Sequence, residues 1–172
     1  TPLPYLGAGE FYLEYGDFDV RLTVPAGFVV AATGTLENAD EVLTTSQRAR
    51  LANARTSTTP VQIITADEAG NAARTRPAAA GSATPVTSGT LTWHFRADNV
   101  RDVAWAAAPN FRWDAVSWNS ILIQALYRPS ATLWANEGIR MAEHSIRYFS
   151  EQWGMYPYPH ATTVEGPISG ME

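Results

Sequence analysis

Three histidines, His94, His144 and His160, are the side chains of this chain best suited to bind a metal or to move a proton near neutral pH. A helical zinc site needs two histidines four residues apart, so that both rings face one ion. None of the three has a histidine or cysteine partner at such spacing, and the chain contains no cysteine at all. Each therefore reads as a surface or structural residue, and no metal is expected within the chain. Without cysteine, thiol catalysis and disulfide scaffolding are excluded. There is no Gly-x-Ser-x-Gly turn and no glycine loop of the phosphate-cradling kind. Glu137 and Glu143 fall on the exposed side of a long helical segment, where Glu143 and Arg147 make an ordinary i,i+4 pair. Spacing alone nominates no catalytic group.

The elements that would carry these residues change character along the chain. Phe18, Val20, Leu22 and Val24 alternate with Asp19, Arg21 and Thr23, the period of two that lays one strand face on a core. Tyr15-Gly16-Asp17 is expected to turn between this strand and a shorter one over 11–14. Residues 28–36 form a further β-rich run, closed by Glu37-Asn38-Ala39-Asp40. Residues 41–54 contain good helix formers but a poor apolar stripe. Between 66 and 89 the composition shifts to Ala, Gly, Thr, Ser and Pro, which predicts a long mobile loop. Strand periodicity returns at Leu91, Trp93 and Phe95, continues over 100–107, and reappears as an apolar strand over 121–127. Trp105, Trp113 and Trp118 crowd this stretch and imply a packed core or a domain seam, with a carbohydrate-stacking face as the alternative.

The period then becomes helical. Ala135, Ile139, Ala142, Ile146, Phe149 and Trp153 are separated by steps of four and three, the stripe of an amphipathic helix. Ser130 or Thr132 can cap its start, and Gly154 stands where a left-handed C-terminal residue is wanted. Tyr156-Pro157-Tyr158-Pro159 breaks the helix, and extended chain follows.

Composition narrows the function classes. The chain has 172 residues, of which 45% are hydrophobic and 17% charged, as in a globular protein. Its net charge is −5 and its basic residues are scattered, which argues against nucleic acid as a partner. No apolar run approaches the ~20 residues of a membrane span.

Residues 144–172 carry a more specific signal. The run from His144 through Trp153-Gly154, Tyr156-Pro157-Tyr158-Pro159 and Thr163-Val164-Glu165-Gly166 to Ser169-Gly170-Met171-Glu172 resembles the aminopeptidase N family of zinc metallopeptidases, the gluzincins. That family has a helix ending in an aromatic-Gly, then Tyr-Pro-Tyr-Pro, then a strand leading to Gly-x-Met-Glu-Asn. Val100-Arg101-Asp102-Val103-Ala104-Trp105 is similar to the strand that closes the family's N-terminal β-domain. The resemblance is strongest after Val100 and weak before it.

The resemblance implies a mainly β chain with a C-terminal helical segment. A saddle-like antiparallel β-domain over 1–128 would be followed, over 129–172, by the opening helix and strand of a thermolysin-like catalytic domain. It implies that Glu172 anchors the free α-ammonium of a peptide substrate, with Ser169, Gly170 and Met171 supplying backbone and wall. A carboxylate at the closed end of a cleft does this by a charge-assisted hydrogen bond, which imposes exopeptidase specificity. Ser169 stands where the family has Gly, which alters how closely a backbone can approach.

The family's His-Glu-x-x-His zinc motif does not occur in the chain. The chain is thus expected to be a piece of a larger zinc aminopeptidase, ending just before that motif. Zinc and peptide substrate would belong to the parent, the remainder of the catalytic domain would be this piece's partner, and the chain alone would hydrolyse nothing. A non-catalytic, peptide-binding relative that has lost the metal site is the alternative.

Overall fold

The structure, a computed structural model, describes residues 13–71 and 89–167. The expected strand over 11–14 and most of the expected loop over 66–89 lie outside those residues, in part or whole. Among the described residues, nine strands form three sheets. Sheet A has the order β1-β5-β3, from Gly16–Pro25, Thr90–Val100 and Thr35–Leu36, all antiparallel. Sheet B pairs β2 (Val29–Ala32) with β6 (Trp105–Ala108), also antiparallel. Sheet C has the order β4-β7-β8-β9, from Val61–Ile64, Arg112–Trp118, Ile121–Tyr127 and His160–Val164. Its last pair, β8 with β9, is parallel. The fold is therefore mainly β and mostly antiparallel, with a long helix near its C-terminal end.

In sheet A the alternation along β1 is realised as read: Phe18, Val20, Leu22 and Val24 face inward, while Asp19, Arg21 and Thr23 face water. Tyr15-Gly16-Asp17 does not turn the chain. Gly16 and Asp17 already belong to β1, and the register slips between Gly16 and Phe18. Asp17 Oδ1 there accepts the backbone N–H of Asn99, whose φ is +54°. What the sequence presents as a turn is a bulge, because a tertiary partner strand takes up the backbone donors that a turn would satisfy locally.

The run over 28–36 is cut in two at Thr33-Gly34, where the chain passes from sheet B to sheet A. Gly34 has φ +104°, and a Cβ there would stand 2.6 Å from the carbonyl oxygen of Arg96. Only glycine fits that crossing. The run over 100–107 is likewise interrupted, with β5 ending at Val100 and β6 starting at Trp105.

Two short helices follow β3. The first, α1, spans Ala39–Val42, and α2 spans Thr45–Ala54. The weak apolar stripe of residues 41–54 is compensated at the start of α2 by a capping box. Thr44 Oγ1 accepts from Gln47 N–H at 3.2 Å, and Gln47 Oε1 accepts from Thr44 N–H at 3.0 Å. Such a cap contributes about 1 kcal/mol. Arg50 then ties α2 to β4, donating to the Ile63 carbonyl at 2.9 Å and to Glu68. β4 itself was not expected from the sequence.

The two central strands of sheet C, β7 and β8, are buried on both faces, so they read as mostly apolar runs, while the edge strand β9 is half-buried. One face, with Trp113, Ala115, Leu122 and Leu126, joins the main core with Val29, Val30, Trp93 and Phe95. The other face, with Val116, Ile121, Ile123, Ala125 and Tyr127, packs under a helical segment. Trp113 is thus a core residue and cannot be a carbohydrate-stacking platform; Trp118 packs against the second cluster. β7 and β8 are joined by Asn119-Ser120, both with positive φ, as a two-residue hairpin of the primed type requires.

After β8 the chain rises through a π-helical turn, Trp134–Gly138, into α3, Ile139–Trp153. Ala131, between Ser130 and Thr132, offers the carbonyl that takes the first-turn N–H bonds of Trp134 and Ala135. Gly154, with φ +112°, ends the helix as anticipated. Of the expected apolar stripe, Ile139, Ala142 and Ile146 meet sheet C, whereas Phe149 and Trp153 are 57% and 82% exposed. The sheet covers only part of the apolar surface the helix offers. β8, α3 and β9 form a parallel β-helix-β crossover, so residues on both sides of position 128 share one sheet.

Candidate functional site

The residues singled out by the motif, Ser169, Gly170, Met171 and Glu172, lie outside the described residues. What the structure gives is the scaffold that leads to them. β9 runs parallel to β8 in full register, from Leu122 opposite His160 to Leu126 opposite Val164. Among the described residues it has no strand on its other side. An edge strand of this kind carries backbone donors and acceptors that an added strand or an extended peptide can pair with.

Two clasps fix β9 at its ends. At the exit, Arg128 grips Glu165 in a two-pronged ion pair, with Nε to Oε2 at 2.9 Å and Nη2 to Oε1, and the Arg128 N–H adds a third bond to Oε2 at 3.2 Å. The side-chain bond from Arg128 holds the Glu165 carboxyl below its usual range against burial, which raises it, and the backbone bond and charge of Arg128 add to the lowering. At the entrance, the Tyr156 phenol donates to the His160 carbonyl at 3.3 Å, and its ring meets Tyr158 edge-on at 5.7 Å. Burial, and then the neighbouring Tyr158, push the Tyr156 phenol up, so it stays a proton donor throughout the ordinary pH range. The Tyr-Pro-Tyr-Pro run thus acts as a rigid elbow: its prolines fix φ, Tyr156 bonds the strand that follows, and the Tyr158 phenol donates to the Asn99 carbonyl near the end of β5 at 3.4 Å.

Alternate residues of β9, His160, Thr162 and Val164, line a cleft of about 560 Å³. Its other walls come from β2 and the Thr33-Gly34 crossing, from the end of β5, and from Ala104 to Ala106. That volume suits a small ligand or a short stretch of extended chain. The floor is mostly alanine and valine, and the rim carries Arg96, Asp98, Arg101 and Asp102. Arg96 is paired with Asp98 at 3.1 Å, and the Arg101 guanidinium stacks over the Tyr15 ring at 4.7 Å.

Among the described residues that line the cleft, His160 is the one histidine. Burial, with Arg55 nearby, pushes its imidazole below the usual range, so it is neutral at pH 7. Its Nδ1 meets Thr162 Oγ1 at 3.4 Å. Of the other two histidines, His94 bonds Asp19 at 2.9 Å on the wet face of sheet A, and His144 is exposed on α3, stacked on Tyr148. Glu137 bonds Arg140, and Glu143 lies 3.7 Å from Arg147, on the outside of the helix. Among the described residues no three His, Asp or Glu side chains converge on one point. They do not fit the zinc that the resemblance implies, and none of them is assigned to it.

A second polar group was not anticipated. Under α3, the phenol of Tyr127, fully buried, donates to Asp114 Oδ2, while Asp114 Oδ1 is buried without a partner. The Arg112 guanidinium lies 5.0 Å from the Tyr127 ring centroid. Burial raises the Asp114 carboxyl, although the Tyr127 bond and Arg112 oppose it, and burial together with Asp114 raises the Tyr127 phenol. An acid within an otherwise apolar β7 run, Trp113-Asp114-Ala115-Val116, was the available sequence signal.

No protein-family model matches the chain, and no curated protein matches it either. No described helix is long and apolar enough to cross a membrane.

Proposed function

We propose that this chain is the N-terminal part of a zinc aminopeptidase of the aminopeptidase N type: a β-domain joined to the opening helix and strand of a thermolysin-like catalytic domain. The observation that carries the reading is the order of parts in its last third. A long helix ends at Trp153-Gly154; a Tyr-Pro-Tyr-Pro elbow follows; then an edge strand leads, through Glu165, toward Ser169-Gly170-Met171-Glu172. In this reading β9 supports the strand on which an extended peptide lies, and Glu172 binds the peptide's α-ammonium. Ionised carboxylate and ammonium form a charge-assisted bond, and a blocked or internal amine cannot replace it. The roles given to Ser169, Gly170 and Met171 are backbone and wall.

The zinc of such an enzyme, held by residues outside this chain, supplies the activated water. The described residues contribute positioning only: the Arg128–Glu165 clasp and the Tyr156 bond hold the strand that leads to the anchor. The chain by itself is accordingly inactive.

The coding sequence downstream of Glu172 tests this reading. A His-Glu-x-x-His motif with a later Glu, within a few tens of residues, is the expected result. A frame that continues without metal ligands overturns the hydrolase reading and leaves a peptide-binding relative.

A further inference from the structure

The cleft beside β9 continues inward. A smaller pocket of about 40 Å³ adjoins it where Pro159, His160 and Thr162 face Ala31 and Gly34, residues that line both spaces. Its deeper walls include Gln124 of β8, Trp113 of β7 and Arg55, the residue that ends α2. A space of that size exceeds what one water molecule needs and can take a carboxylate group.

The polar groups of this inner pocket are mostly donors. Trp113 is 5% exposed, and its indole N–H is buried without a partner. Gln124 Nε2 donates to Thr162 Oγ1 at 3.0 Å, which leaves the Thr162 hydroxyl proton for His160 Nδ1, 3.4 Å away. The imidazole's own proton then sits on Nε2, which bonds nothing among the described residues. Arg55 makes no ion pair among the described residues, yet its charge is close enough to oppose protonation of His160. No Asp or Glu is among the described residues that line the inner pocket. A guanidinium and two N–H groups with no acid to answer them favour an anion, and a buried N–H left unpaired costs free energy that an acceptor would recover.

The outer cleft has a different character. The charges at its mouth cancel, Arg96 and Arg101 against Asp98 and Asp102, and its floor of Ala31, Ala32, Ala104 and Ala106 is apolar and shallow-sided. Trp105, which also lines it, is 56% exposed and offers a ring face for stacking.

We propose that the cleft and its inner pocket together bind a small organic carboxylate with an apolar body such as a phenyl ring. The carboxylate enters the inner pocket, where Arg55, His160 Nε2 and the Trp113 indole N–H donate to it. The body lies on the alanine floor beside Trp105. Such binding is independent of the hydrolase reading, since it uses none of residues 169–172.

Titration of the isotope-labelled 172-residue chain with phenylbutyrate, followed by NMR, tests the site. Saturable binding with a Kd on the order of 1 mM is expected for so small a ligand, with the Trp113 indole N–H resonance moving downfield as it gains an acceptor. Phenylbutylamine, the same body with the opposite charge, should bind at least about ten-fold more weakly. Arg55→Ala, a change at an exposed position, should weaken phenylbutyrate by about the same factor and leave the melting temperature unchanged. No saturation by about 10 mM would mean that water alone fills the pocket, and would overturn the proposal. So would equal affinity for the acid and the amine, or an Arg55→Ala chain that binds the acid as tightly as its parent. An uncharged extended peptide, acetyl-trialanine amide, that binds as tightly as the acid would also overturn it, and would assign the cleft to strand addition on the open edge of β9 instead.

Discussion

Sheet A rests on two long strands, β1 and β5, of 10 and 11 residues, whereas no strand of sheet C exceeds 7, and the surroundings of the two sheets differ. Sheet A keeps one face in water: Thr23 bonds Thr92 across β1 and β5 at 2.8 Å, and beside them Asp19 pairs with Arg21 and hydrogen-bonds His94. In sheet C the central strands β7 and β8 are covered on both faces, by the main core and by α3, and the acid between sheet and helix, Asp114, is bonded to a buried phenol. The difference teaches where stability and site geometry reside. Sheet A is a scaffold that tolerates polar change, while sheet C fixes the strand that leads to the proposed substrate anchor.

The largest expected effect comes from Ile123→Ala in β8, a fully buried side chain between the two layers. It should cost about 2–5 kcal/mol in denaturant titration, against about 1 kcal/mol for Leu22→Ala in half-buried β1. Equal losses at the two positions would erase the contrast. Next is Tyr127→Phe, which leaves Asp114 buried with neither oxygen bonded by a side chain. A loss of about 1–3 kcal/mol is expected at pH 7, and Asp114→Asn, which removes the charge, should be milder in the same unfolding assay.

A smaller effect depends on pH. His160 binds its proton less readily in the fold than in the unfolded chain. Above the unfolded pKa of about 6.5 neither state is charged and nothing is lost; as pH falls below it, the unfolded state takes up the proton first and stability declines. His160→Gln should flatten that part of the stability–pH curve, and an unchanged curve would show the decline arises elsewhere. The smallest effect is that of Asp19→Asn in sheet A. Asp19 is held below its usual range, first by the hydrogen bond from His94 and then by Arg21, but on an open surface. Its melting temperature should match the parent's within error, whereas a clear drop would show that sheet A is less tolerant than its exposure implies.

The same contrast explains what could be read from sequence. β1 and β5 were legible because one wet face writes an alternating pattern. In sheet C that pattern is absent. β8 was recognised from its apolar run alone, while Val61–Ile64, four residues long and paired only through tertiary contact with β7, left no local signature. The turn expected at Tyr15-Gly16-Asp17 became a bulge because β5 supplied its partner from far along the chain. The helix stripe of α3 was readable, yet periodicity reports which side chains are apolar and not what covers them, so Phe149 and Trp153 came out exposed. For the site, the Tyr-Pro-Tyr-Pro elbow could be read from its prolines. The Arg128–Glu165 clasp could not, because its partners meet only once β9 returns beside β8.

The most direct test of the proposed chemistry is an assay of the longer protein on matched substrates: an aminoacyl anilide and its N-acetylated form, for the parent and for Glu172→Gln. Release from the free-amine substrate alone, abolished by a chelator and reduced on the order of 100-fold in kcat/KM by Glu172→Gln, is the expected result. Cleavage of the blocked substrate at a similar rate, or a Glu172→Gln enzyme as active as its parent, would contradict it.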